Sequence, residues 1–262
     1  MAASTTRSRA ASSCPSGADA VDAVPLGVAR PADRAPLVPP LLAARPAPAG
    51  GTVLERAAAL AGRGDAEAGA LLYRHAPDRW ALAMVLEPEV GPAAAAAMLP
   101  LAQLALAEAL GEIAPSGTDV ALRWTGEVLV NRGVCGRADG IMAAGNEPAW
   151  LAVGPLLRLA LAGEPGHDPG RTALVEEIGP VDPVALTEAT ARCWLRWLHR
   201  WEADGFAPLA RAWLEMAADR GERIEAPGAS GTFVGLDDEG GALIAGESET
   251  VALPLLSLWR RA

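Results

Sequence analysis

At 262 residues, half of them hydrophobic and a fifth charged, the chain is long enough to bury a full core and to carry a small domain beside a large one. Its net charge is −10, and five Arg against three Asp in the first fifty residues leave the remainder more acidic still, so charge speaks against nucleic acid and anionic membranes as partners. All 22 basic residues are arginines, which removes every mechanism that needs a lysine of this chain.

Residues 1–50 are rich in Ala, Ser, Pro and Arg without periodicity, and read as a disordered extension. Arg7 and Arg9 among hydroxyl residues suggest a targeting peptide, but no apolar stretch of the right length follows. The apolar run Pro36–Leu42 reads as an extended segment packed on the body ahead of the first helix. Thr52 and Glu55 form a capping box for a helix over Val53–Gly62, and Ala61–Asp65 is its stop. Strands are expected at Ala70–Arg74 and Trp80–Leu86, joined by the short link His75–Asp78. Pro92–Leu110 is a helix apolar enough to be buried against a sheet, kinked or split by Pro100. Gln103 and Glu108 interrupt it too early for a membrane span.

Val120–Trp124 and Glu127–Asn131 form a hairpin around Thr125-Gly126, and a third segment reaches Cys135-Gly136-Arg137. Separate strands follow at Ile141–Ala144 and Trp150–Leu161, with a loop at Glu164–Gly170. Asp182 caps an amphipathic helix that places Trp194, Leu198 and Trp201 on one face and Arg192, Arg196 and Arg200 on another. Leu209, Trp213 and Met216 mark one more helix. From Glu222 the chain turns to short strands around the hairpin turn Asp237–Gly241.

No local motif names a reaction. Cys14, Cys135 and Cys193 lack metal or redox spacing and suit a reducing cytoplasm, and His75, His167 and His199 are scattered, so no metal set is expected. There is no G-x-S-x-G nucleophile elbow.

The stretch Arg123-Trp124-Thr125-Gly126-Glu127, a strand, then Gly133-Val134-Cys135-Gly136, resembles the signature of biotin protein ligases, K-W-P-N-D followed by K-x-x-G. Arg171–Glu177 resembles that family's A-T-S-L-x-E-E-G, and Gly231–Ile244 its C-terminal barrel. The chain is thus identified as similar to the uncharacterised bacterial branch of the biotin/lipoate A/B protein ligase family. The resemblance implies an α+β fold with a ligase-like mixed sheet packed by helices over residues 51–221, then a small SH3-like β-barrel over 222–262. It also implies departures from the family pattern. The lysine position falls on Gly133 or Val134, His75–Asp78 replaces a long Gly/Arg-rich phosphate loop, and Gly154-Pro155-Leu156 keeps only the first glycine of G-x-G-x-N.

Arg132, Arg137 and Glu127 are the residues in reach of a catalytic role. Arg123, Trp124, Asn131, Cys135, Gly136 and Arg137 are the expected ligand-binding set. Three functions follow from the resemblance: a divergent member that binds a small carboxylate or a carrier domain without normal ligation; an active biotinyl or lipoyl ligase using arginine for lysine, with ATP, Mg and biotin or lipoate; or a non-catalytic interaction protein. Of these, the first is the expected one.

Overall fold

The computed structural model describes residues 34–161, 170–226 and 228–262; Cys14, His167 and most of the Glu164–Gly170 loop lie outside them. It is a mixed α+β fold. Eight strands form the large sheet: β1 (Ala43–Pro46), β2 (Ala70–His75), β3 (Arg79–Leu86), β4 (Val120–Leu122), β5 (Glu127–Val130), β6 (Gly133–Met142), β7 (Leu151–Arg158) and β12 (Arg260–Arg261). Their order is β1-β2-β3-β7-β6-β5-β4, with β12 parallel to β6. A separate antiparallel sheet holds β8 (Arg223–Ala226), β9 (Ala229–Leu236), β10 (Ala242–Ala245) and β11 (Thr250–Leu253), in the order β11-β10-β9-β8.

Strand alternation divides the large sheet's side chains between two cores. Leu72, Ala83, Val85, Ala152 and Ile141 pack under α1 (Val53–Gly62), whose capping box is formed as the sequence leads one to expect. Leu71, Leu82, Met84, Val153 and Leu157 face the other way, toward α3 (Met98–Ile113) and α5 (Pro183–Asp204). The stretch Pro92–Ile113 is long and apolar enough to cross a membrane but is 83% buried inside the fold. It splits into α2 (Pro92–Ala95) and α3, and Pro100 sits in the first turn of α3, where no intrahelical N–H is lost.

Two sequence expectations need correction. Ala43–Pro46, inside the stretch read as a disordered extension, is a strand parallel to β2, with Leu42 buried beside it. Second, the pieces ending near Arg137 and beginning at Ile141 are one ten-residue strand, β6. Gly133, Gly136 and Gly140 break its apolar pattern because other parts of the chain press on them. A side chain at Gly133 would put its Cβ 2.7 Å from Thr172 Cγ2, and at Gly136 and Gly140 it would meet Leu156 and Trp259 closer still.

After α4 (Leu174–Ile178) and α5, the helix α6 (Ala207–Glu215) leads to the small sheet. Phe233 packs edge-on against Trp213, ring centroids 6.1 Å apart, and with Ile244 and Leu253 it joins the main core. Two indoles complete the junction: Trp124 donates to Gly240 O (3.0 Å) and Trp259 to Ala96 O (3.2 Å).

Candidate functional site

Beyond the edge of α1, the sheet face on which that helix lies carries a row of residues in register across six strands and their ends. Arg74 opposes Ala81, Ala81 opposes Leu156, Leu156 opposes Arg137, and Arg137 opposes Glu127. Glu127 in turn is bonded to Arg123 across the hairpin mouth. With strands spaced about 4.8 Å apart, Arg74 and Arg137 lie about 14 Å from each other along the row. Arg79 opposes Arg158 two positions further along, and so on the same face. Arg74, Arg79, Arg123, Arg137 and Arg158 thus gather on this part of the face together with the carboxylates Glu127 and Asp139.

Each arginine is held by chemistry that the register creates. Arg74 donates to Gly51 O and Pro48 O, each at 2.8 Å, fixing the loop that enters α1. Arg158 donates to Thr172 O (3.0 Å) and to Val134 O, tying β7 to the segment after the undescribed residues. Arg137 pairs with Asp139 at 2.7 Å, yet its side chain stays half exposed, so its guanidinium can exchange that partner for a ligand at the middle of the row. Arg79 pairs with Asp78 at 3.3 Å and is equally open.

The expected ligand-binding residues divide. Arg123, Glu127 and Arg137 are brought together in the row. Arg123 pairs with Glu127 at 2.9 Å and Asp219 at 3.1 Å; the Glu127 hydrogen bond raises its pKa, while burial is the larger influence pushing the Asp219 carboxyl up. Trp124 and Cys135 instead lie in the core on the opposite face. Trp124 points to the small sheet, and burial pushes the Cys135 thiol up to about 12. Asn131 and Arg132 form the exposed β5–β6 turn with positive φ (47° and 74°), and the Asn131 amide holds Glu177 at 2.8 Å. Gly136 contributes close strand packing, with no room for a side chain.

Sequence reading missed Arg74, Arg79 and Arg158, whose place on one face needs strand register to be known. It also missed Gln103, buried in α3, whose amide donates to Arg123 O (3.0 Å) and Glu127 O (3.2 Å) and accepts from the Trp213 indole (3.0 Å). It looked like a polar interruption and is the peg that holds the hairpin mouth.

This face offers half-exposed guanidinium groups at Arg79 and Arg137, the chemistry that pairs with a carboxylate. The β2–β3 connection is only Ala76–Asp78, with too few backbone N–H groups to cradle phosphates. Of the two positions where the family resemblance puts a lysine, Gly133 is closed by Thr172, and Val134 is a half-buried aliphatic residue whose backbone pairs with Gly170 and Thr172. Glu127, expected from the resemblance in place of the family's metal-facing Asp, pairs with Arg123.

Residues 38–215 match the model of the biotin/lipoate A/B protein ligase family. A biotin–[acetyl-CoA-carboxylase] ligase of Paracoccus denitrificans is 34% identical over 184 residues, 65% of this chain and 75% of that one. The chain belongs to the biotin/lipoate A/B protein ligase family. Among solved structures, a biotin protein ligase-like protein of unknown function from Silicibacter sp. superposes with a TM-score of 0.80 at 34% identity, over 86% of this chain and 99% of that one. The biotin protein ligase of Aquifex aeolicus, in complex with biotin, gives 0.61 at 19% identity over 76% and 91%, which is likeness of fold. In this family member, the ligase sheet is kept and the face beside α1 is lined with arginine.

Proposed function

We propose that this protein binds a small carboxylate, or a carrier domain bearing one, on the arginine-lined sheet face, and does not make acyl-adenylate at a normal ligase rate. The observation that carries this reading is the closure of the Gly133 position by Thr172 in a chain without lysine. Adenylation brings a carboxylate against a phosphate, and a fixed cation between the two anions commonly supplies several kcal/mol of the barrier reduction. Arginine is not equivalent there, because its planar fork demands another approach. A carboxylate alone asks less: a charge-assisted bond to Arg137 is worth about 1.5–3 kcal/mol. Buried, unpaired Cys135 and Cys193 agree with residence in a reducing cytoplasm.

A second reading, an active biotinyl or lipoyl ligase, is favoured by the 34% identity to the Paracoccus protein named as a biotin ligase. One experiment separates them. The purified protein is incubated with ATP, Mg, biotin or lipoate and a biotinyl or lipoyl carrier domain, reading adenylate and carrier mass. Calorimetry then follows biotin or lipoate alone. We expect no adenylate and no modified carrier, and carboxylate binding weakened about tenfold by Arg137→Ala. Robust ATP-dependent carrier modification establishes the second reading, and unchanged affinity in the variant removes Arg137 from the site.

A further inference from the structure

The other face of the sheet holds a cavity of about 800 Å3, between the end of β3, α2, α5 and the Asp237–Gly241 turn. That is the size of a small-molecule site. Its floor is apolar, with Met84, Ala95 and Met98 each no more than 2% exposed. Trp201 and Phe206 supply aromatic wall, and Leu41, 79% exposed, forms a lip.

The polar lining has one sign. Glu87, Glu89, Glu202, Asp238 and Glu239 line the opening, all exposed, and among the described residues no Arg or His lines the cavity. Among the described residues, none of these five carboxylates takes part in an ion pair. Like charges around a low-dielectric hollow repel one another, and a cation entering there relieves that repulsion. Aromatic faces at the same opening add attraction for an ammonium or guanidinium.

We infer that this cavity binds an organic cation, an apolar chain or ring ending in an amine or guanidinium. The apolar body fills the hollow over Met84 and Met98, and the charged head stays at the opening between Glu89, Glu202 and Trp201. The occupant has the opposite charge to the carboxylate proposed for the arginine-lined face, and the inference stands independently of that proposal.

The test uses the full chain at low salt and pH 7, with calorimetry of n-octylammonium and phenethylammonium against the uncharged n-octanol and phenethyl alcohol. The cations are expected to bind at least tenfold more tightly than their alcohols. Glu89→Gln together with Glu202→Gln should weaken the cations about tenfold and leave the alcohols unchanged, since one charge-assisted bond is worth about that factor. Trp201→Ala should weaken both. Both substituted acids are exposed and unpaired, and circular dichroism and thermal melting check that the fold survives. Equal affinity for alcohol and cation, no cation binding, or binding unaffected by the Gln pair overturns the inference. Binding confined to a peptide of alternating Leu and Arg also overturns it, and assigns the groove to a protein partner.

Discussion

His75 shows how one side chain's surroundings set its chemistry. Its ring is stacked on Tyr73 at 4.8 Å and bonded through Nε2 to Thr187 Oγ1 at 2.9 Å. With the Thr187 hydroxyl donating to Pro183 O at 2.9 Å, the imidazole is the donor to Thr187 and the neutral ring is assigned its proton on Nε2. Burial lowers the pKa from 6.5 to about 4, against a smaller opposing pull from Asp182. The unfolded chain therefore takes up this proton first as pH falls. Native stability from this source is complete above about pH 6.5 and is lost as the pH drops toward 4. The fall in melting temperature between pH 7 and 4.5 should accordingly be smaller for His75→Gln than for the parent, measured in parallel thermal melts. Equal falls would show that the acid response belongs to other groups. Nothing in the sequence announced this environment, because Thr187 lies more than a hundred positions away. Gly133 was legible as a departure from the family pattern, while the reason for it, the methyl of Thr172, was not.

At the scale of elements, legibility followed locality. The α1 capping box, the Asp182 cap and the Val120–Asn131 hairpin were all readable because each is fixed within a few residues. The continuity of β6 was not, since its glycines answer to Thr172, Leu156 and Trp259 from elsewhere in the chain. The role of Gln103 was hidden for a related reason: its partners come from the hairpin and from α6. Gln103→Leu keeps the volume and removes the bonds. It strands the buried Trp213 indole N–H, while the Arg123 and Glu127 carbonyls keep other partners. The expected loss is about 2 kcal/mol in urea unfolding, within the range for one unsatisfied buried donor. The hairpin mouth should loosen with it, so carboxylate affinity should also fall; a variant as stable as the parent would deny Gln103 its role as a peg.

For the whole molecule, the order of elements was readable and the seam between them was not. The stretch from Glu222 reads as a unit of its own, and its strands do form a separate sheet, yet Phe233, Ile244 and Leu253 share the main core. β12 then returns to the large sheet beside β6. The indole of Trp124 bonded to Gly240, and that of Trp259 to Ala96, cross this seam in opposite directions, one from each side. The two indoles, the shared core of Phe233, Ile244 and Leu253, and the pairing of β12 with β6 together hold the smaller sheet against swinging. A junction so fastened is not a hinge, and the proposed carboxylate is expected to meet a preformed surface. Small-angle scattering should then give the same radius of gyration with and without saturating carboxylate, and a contraction on binding would mean that the junction gives way.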